Sequence, residues 1–503
     1  MSSSRTSKVL ALSLGKGLTT VVSLVSGMLM ARILSKDDLA TYRQTKLAYD
    51  IALPLLGLGI NQGIYYFLPT EKRRARGVVV DGLIMMLTMG LLYAIFIALG
   101  GNHILAKRFT NPAIVKTLVY LVPLPIVMLP AGLLGSVMVV QNKVNTLAIF
   151  NVASNFLLTA SIITGCLLWK TPEAMILVFV GASIVTGIIS IFLLLKSLPS
   201  DDWHPRFSNM RTMVKFSIPL VLASAAGTIA LQLDKIIVSS MCMPAEYAVY
   251  STGAIEIPVV GIITGSIASI ILPDLRRMAA SGNNTGAVAL FRNAASRSAT
   301  YLIPLTVFLL IAAKPFILTL FSSKYTNSVT PFRLYLLILP LRVAQYGPML
   351  TALGLTNIIM IRSWAGMISN CVLSIFFVYL WGYIGAIIAT IVTLYGVNFV
   401  WNMSAISKAS QTKWMQIFPF KEIGILAMIS IFAGLPGIVI LKFFGTQVKP
   451  VFMLGMQSVI FAVTLIFLAR LLKITPLIAE LNKQYNFIKT KISSLQKKQY
   501  YKI

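Results

Sequence analysis

The sequence predicts an all-α polytopic membrane protein of about 14 transmembrane helices. Of its 503 residues 57% are hydrophobic and only 11% are charged, where soluble domains carry about 25% charged residues. The apolar residues fall in many separate runs, each close to the roughly 20 residues that cross a hydrocarbon core. Mean hydropathy is +0.84. A soluble enzyme, a disordered chain and a secreted disulfide scaffold are thereby excluded.

The runs are read as spans 9–33, 44–69, 78–99, 113–140, 147–169, 174–195, 213–239, 246–273, 297–320, 331–353, 358–380, 383–406, 421–444 and 450–472. The first follows the basic octapeptide MSSSRTSK; it is too long for a signal-peptide core and reads as a retained span. Within 147–195 and 358–406 the turns are only a few residues long, so each segment reads as a pair of spans. No loop is long enough to hold a soluble catalytic domain, and Gly15-Lys16-Gly17 lacks the spacing of a phosphate-binding loop.

The net charge is +29. The basic residues sit mostly in short loops, and no nucleic-acid-binding motif accompanies them. They read as the positive-inside bias plus attraction to anionic phospholipids. With the N-terminus inside, Lys and Arg favour the inner side by about two to one, with dense clusters at 72–76, at Arg276-Arg277 and after Arg470. Both termini and the loops at 70–77, 196–212 and 274–296 are therefore expected in the cytoplasm. Cys166, Cys242 and Cys371 show no paired spacing, and His103 and His204 make no cluster, so no metal site and no catalytic residue is expected.

The two halves echo each other. Leu39-Ala40-Thr41-Tyr42 follows span 1 and Tyr247-Ala248-Val249-Tyr250 follows span 7; each is succeeded by a Leu-Pro and then an arginine pair. A second register, offset by 215, aligns Pro125 with Pro340, Asn142 with Asn357, and Ser154-Asn155 with Ser369-Asn370. The pattern predicts duplication of a six-span unit: lobes at 1–212 and 213–414, related by a pseudo-two-fold axis along the membrane normal, a helix pair at 415–472 and a basic cytoplasmic tail at 473–503. Such an architecture suits alternating access.

Three stretches carry a family resemblance. MARILSKDDLATY (30–42) resembles the first-loop pattern of the O-antigen and capsule flippases, in the polysaccharide transporter branch of the multidrug/oligosaccharidyl-lipid/polysaccharide exporter superfamily. FSIPLVLASAAGTIALQLDKIIVSS (216–240) resembles that family's seventh span, and WGYIGAIIAT (381–390) its entry into span 12. The resemblance covers about 1–472. It implies a flippase for an undecaprenyl-diphosphate-linked oligosaccharide in a bacterial inner membrane, serving O-antigen, capsule or exopolysaccharide synthesis, with a glycan polymerase and chain-length proteins as partners. Flippases of peptidoglycan precursors resemble this fold but carry an arginine-rich cavity; here span 1 offers Lys16 and span 8 offers Glu256. A cation-coupled multidrug exporter and a membrane glycan polymerase are the other readings. The polymerase would be expected to present a long outer loop.

Ionisable residues inside a span need a functional or pairing explanation. Arg342 lies mid-span with Gln345 and Tyr346 at i+3 and i+4, which predicts one polar helix face; its guanidinium fork fits phosphate. Span 1 carries Lys16, Thr20 and Ser23 at helical spacing, and span 7 carries Ser224, Thr228, Gln232 and Lys235, stripes that suit a cavity wall. Asn61 adds a polar position in span 2. Asp50 precedes Pro54 and Glu256 precedes Pro258; an acid beside a proline-weakened turn can take up H+ or Na+, or pair with Arg342 or Lys235. Asp234 reads as structural. Apart from a coupling ion, no cofactor is expected.

Overall fold

A computed structural model describes residues 22–71, 74–199, 202–444 and 447–472, except the side chains of 219, 220, 222–228 and 444. The regular elements among them are all helical. Eleven helices are long and apolar enough to cross a membrane, and Val22–Ile33 is a shorter apolar helix. The expected spans 1, 7 and 10 are not among the eleven: the first extends into residues outside the described set, the seventh contains the undescribed side chains, and the tenth is broken. The expected tail at 473–503 also lies outside the described residues.

The helices used below are α1 (Val22–Ile33), α2 (Lys36–Leu56), α3 (Ile60–Thr70), α4 (Ala75–Phe96), α5 (Asn102–Arg108), α6 (Ile114–Leu121), α7 (Pro123–Val140), α8 (Val144–Leu168), α9 (Pro172–Ser197), α10 (Phe207–Met241) and α11 (Pro244–Gly253). They continue with α12 (Pro258–Ala280), α13 (Asn284–Ile311), α14 (Ala313–Phe321), α15 (Val329–Leu336), α16 (Tyr346–Ala352), α17 (Thr356–Trp381), α18 (Tyr383–Ser410), α19 (Phe420–Phe444) and α20 (Pro450–Leu471). By contact the chain forms two compact units. One runs to Pro258 and adds Met360–Thr393; the other comprises Val259–Ile359 and the chain from Leu394 onward.

In the first unit, α2 starts on Ser35, whose hydroxyl accepts from the Asp38 amide, with Asp37 and Asp38 in the first turn where the helix dipole favours negative charge. Pro54 cannot donate to the carbonyl four residues back, and two left-handed residues, Leu58 and Gly59, close the break before α3. Gly59 has a second reason to be glycine: a Cβ there would press on Val221 and the Ser217 backbone of α10. Ile60, Ile64, Val78, Met86, Leu133, Val137 and Met213 then pack together from α3, α4, α7 and α10. Acyl chains are as apolar as these side chains, so the cluster stabilises through close packing more than through solvent exclusion.

A charged corner fixes the end of α4. Asp81, fully buried, accepts from Arg74 Nη1 at 3.0 Å and from the Arg206 amide at 2.8 Å; Arg74 Nη2 donates to the His204 carbonyl at 2.6 Å. Asp202 pairs with Arg206 at 2.9 Å. Bonds from the His204 side chain and amide hold the exposed Asp202 carboxyl down to about 2. Its small contribution is thus complete above the ordinary carboxylate range and lost only as pH falls towards 2.

At the other end of α2 a neutral network ties it to the 109–117 segment and to α10. Gln44 donates to the Phe109 carbonyl and to Ser239, Asn111 donates to Gln44 and Thr41, and Thr45 meets Thr117 at 2.6 Å.

In the second unit α19 lies along α13, tied by Arg292 to Glu422 at 2.9 Å, and α20 packs on α19, where Gln457 donates to the Gly437 carbonyl just past Pro436. The side chains left exposed on both units include large apolar ones such as Phe156 (70%) and Ile149 (73%). Phe443 and Phe452 are exposed in the same way. A chain solvated by acyl chains has this surface.

Two outcomes follow from the charged corner. Asp81→Asn keeps the shape but leaves the Arg74 charge uncompensated, with an expected cost of about 3–5 kcal/mol; the fraction of protein remaining monodisperse after heating should fall sharply, and an unchanged melting profile would remove the pair from the fold. Arg74 is also too buried to serve as a topology probe. Cysteines at Trp203, 56% exposed, and at the exposed Arg277 should stay unlabelled by an impermeant thiol reagent in intact cells and react once the cells are opened. Labelling from outside would invert the orientation.

Candidate functional site

The polar residues of the first unit gather where α2, α10 and α11 meet. The duplicated motifs Leu39-Ala40-Thr41-Tyr42 and Tyr247-Ala248-Val249-Tyr250 lie on α2 and α11, which pack against each other. Arg43 Nη1 crosses between them to Ser251 Oγ at 2.7 Å and Thr252 Oγ1 at 2.9 Å. Tyr250 donates its hydroxyl to Asp234 Oδ2 at 2.5 Å, and the Lys235 amide donates to the other oxygen at 2.8 Å. Tyr247 is buried within the field of Arg43, Asp234 and Asp50.

Asp50 pairs with Lys46, one turn back on its own helix, at 2.9 and 3.1 Å. Lys46 is absent from the sequence-based candidates, although its i,i+4 spacing to an acid is the signal that finds it. Lys235 Nζ donates to Gln232 Oε1 at 3.1 Å, so these two candidates stand side by side on α10. Lys16 and Thr20 lie outside the described residues, as do the side chains of Ser224 and Thr228. Asn61 is separated from Asp50 by the break at 57–59; its Oδ1 is buried beside Gly132 with no partner among the described residues.

Glu256 departs from expectation. It does not sit inside a continuous span 8: residues 254–257 are unwound between α11 and α12, and Pro258 opens the next helix. Proline is tolerated in a first turn, where its missing amide proton costs nothing. Asp50, by contrast, stays within α2, with Pro54 in that helix's last turns. The two acids share a sequence pattern but differ in local geometry.

In the second unit the tenth span is also discontinuous. Between α15 and α16 the chain makes a 3₁₀ turn, Leu339–Val343, opened by Pro340 and followed by an extended Ala344. The single polar face expected for Arg342, Gln345 and Tyr346 therefore does not form. Arg342 is exposed on the turn, and Gln345 Nε2 folds back to its carbonyl at 3.3 Å. Tyr346 turns the other way, against Phe291 and Phe399. The carbonyl of Leu337, freed by the break, accepts from the Tyr395 hydroxyl at 2.7 Å. Tyr395 stands on a π-helical segment of α18, Thr393–Phe399, and was not legible as a partner in sequence. Among the described residues no group of three or more His, Cys, Asp or Glu could hold a metal ion.

Helices with apolar outer faces, several of them unwound in mid-span, define a polytopic membrane protein. The sequence model of the polysaccharide biosynthesis protein family matches residues 29–330, more than half of the chain, and the protein belongs to that family. Its fold is similar to that of lipid II flippase MurJ, whose structure is of an inward closed conformation, at TM-score 0.70 and 16% identity over 92% of this chain and 98% of that one. An inward-facing multidrug resistance MATE family transporter of the MOP superfamily superposes at TM-score 0.59 and 14% identity, covering 81% of this chain and 99% of its own. A MOP superfamily transporter from Pyrococcus furiosus gives 0.53 and 16%, covering 80% and 95%. No curated protein matches the sequence. The chain is an integral membrane protein of this transporter fold, not an enzyme.

Removing the Tyr250 hydroxyl leaves Asp234 with only a backbone donor. Tyr250→Phe is expected to cost about 1.5–3 kcal/mol, the range for a hydrogen bond to a charged group. A melting curve of the purified protein reads this, and an unchanged midpoint would show that the bond does not fasten α11 to α10.

Proposed function

We propose that the protein is a flippase that carries an undecaprenyl-diphosphate-linked oligosaccharide from the cytoplasmic to the outer leaflet of a bacterial inner membrane by alternating access, for O-antigen, capsule or exopolysaccharide synthesis. Membership of the polysaccharide biosynthesis family on a flippase fold carries this reading. The proposal includes the repeat architecture, with six-helix lobes at 1–212 and 213–414, a helix pair at 415–472, and both termini in the cytoplasm. Anionic phospholipids, a glycan polymerase and chain-length proteins are its proposed neighbours.

The lipid's headgroup is an anion of roughly two charges, and an inside-negative potential favours its outward movement by about 2.3 kcal/mol per charge per 100 mV. Arg342 suits this cargo: it is exposed at a broken span and has a planar fork for phosphate oxygens. Lys16 and Lys235 are the further cationic candidates, with Gln345, Tyr346, Asn61, Thr228 and Gln232 as neutral ones. The return half-cycle needs a driver that binds two states unequally. H+ or Na+ at Asp50 or Glu256 fills that role, and at Asp50 the cation competes with the Lys46 ammonium already seated there. A cation-coupled multidrug exporter shares the fold, but a chain with a net charge of +29 is poorly suited to attract organic cations. The resemblance to a lipid II flippase likewise extends to the fold, so a peptidoglycan precursor is the competing cargo.

Arg342→Ala should lower glycan export at least tenfold in a complementation assay with membrane insertion intact, and Arg342→Lys should restore only part of it. Export at the parental rate by the alanine variant would take Arg342 out of the site. In proteoliposomes, flipping should respond to membrane potential, and Asp50→Asn or Glu256→Gln should weaken the response to an imposed ion gradient. Indifference to both would leave substrate concentration as the driver and these acids as structural.

A further inference from the structure

The least buried span of the first unit is α8: only 6% of its apolar window is covered by protein. Its exposed side chains nevertheless include two carboxamides, Asn151 and Asn155. At 100° per residue, Asn151, Asn155 and Thr159 share an arc of about 80°. This strip lies between the packed edge marked by Ser161 and Gly165 and an apolar face of Val152, Phe156, Ile149 and Leu157. At 1.5 Å per residue Asn151 and Asn155 stand about 10 and 16 Å from the start of α8, well inside a hydrocarbon core of about 30 Å.

Asn155 Nδ2 donates to the Asn151 carbonyl at 2.7 Å and Thr159 donates to the Asn155 carbonyl at 2.8 Å. The Asn151 carboxamide and the Asn155 Oδ1 have no partner among the described residues. An unpaired carboxamide is strongly disfavoured among acyl chains. The apolar face beside the strip meets lipid without difficulty; the strip itself requires water or a polar ligand.

The repeat counterpart is arranged differently. Ser154-Asn155 aligns with Ser369-Asn370 on α17, where Asn370 accepts from Ser374 at 2.8 Å and shares the packed row of buried Gly366, Ser374 and Val378, opposite the exposed Ile368, Val372, Ile375 and Tyr379. No cation stands between Asn151 and Thr159 on α8, whereas on α17 Arg362 lies two turns before Asn370. Neutral donors and acceptors at one-turn spacing fit a neutral, hydroxyl-rich ligand, not a diphosphate.

We propose that the strip of Asn151, Asn155 and Thr159 on α8 lines the aqueous route of the sugar residues and hydrogen-bonds their hydroxyls. This assignment rests on the reading of the protein as a lipid-linked glycan flippase. It separates the labour: cations serve the diphosphate, and this strip contacts the glycan.

The test uses the full chain in proteoliposomes, with the three native cysteines replaced by alanine and single cysteines at Asn151, Asn155 and, on the apolar face, Phe156. A water-soluble thiol reagent should label positions 151 and 155 at least tenfold faster than 156. Polyprenyl-diphosphate-linked glycan extracted from the source cells should slow that labelling, and bare undecaprenyl diphosphate should not. Equal slowing by both lipids, slowing by neither, labelling at 156 alone, or a disulfide between copies at Asn155 would each overturn the assignment. The double variant Asn151→Leu/Asn155→Leu should lose at least tenfold in glycan-lipid flipping while bare undecaprenyl diphosphate still competes for the protein. If the parent flips the glycan lipid and this variant does so equally well, the strip proposal fails alone; if the parent flips none, the flippase reading fails.

Discussion

Inside a bilayer no water is present to satisfy a backbone amide or carbonyl, so each has to find a partner within the protein. The irregular segments of this chain are organised around that constraint. The open carbonyl at Leu337 is taken by Tyr395, and at helix ends or loops that of His204 is taken by Arg74 and that of Phe109 by Gln44. A side chain from elsewhere in the sequence completes each one. The break in span 10 is therefore a specified feature, completed by a residue from a distant helix.

The charges obey a related economy. Arg43, Lys46 and Lys235 enter the first unit with Asp50 and Asp234 close by, and each has a hydrogen bond within a turn or on the adjoining helix. Such pairing makes burial tolerable without fixing the charges permanently, since a half-exposed i,i+4 pair is weak. Arg74 and Asp81 are the opposite case, fully enclosed and bonded to backbone on a distant segment. One chain thus contains a rearrangeable set of ions and a fixed one.

The class of fold was legible because it depends on composition and run length, which need no knowledge of contacts. The sites were legible only in part. Arg342 and Gln345 do meet, but across a 3₁₀ turn, because Pro340 and the extended Ala344 destroy the helical phase on which a shared face depends. Glu256 lost its place in a continuous helix for a similar reason, since a proline four or five residues from a helix end opens a new helix as readily as it bends an old one. Lys46 could have been found from its spacing to Asp50. Tyr395 could not, because its partner is 58 residues away and nothing in local pattern announces a π-helical segment. The motif at 381–390 gains a plain reason: Gly382 adopts a left-handed turn, and a Cβ on Gly385 would collide with the Phe377 carbonyl.

The enclosed pair also imposes an order on biosynthesis. Asp81 accepts from an amide 125 residues further along the chain, and the Arg74 fork waits on His204. At translation rates of 5–20 residues per second, roughly 6–25 s pass between the appearance of the acid and that of its last donor. Throughout that interval the start of α4 lacks its partners from beyond residue 200, and the corner closes only after the spans between Lys36 and Ser197 have been made. A chain that stops short of Arg206 therefore keeps an incompletely bonded acid.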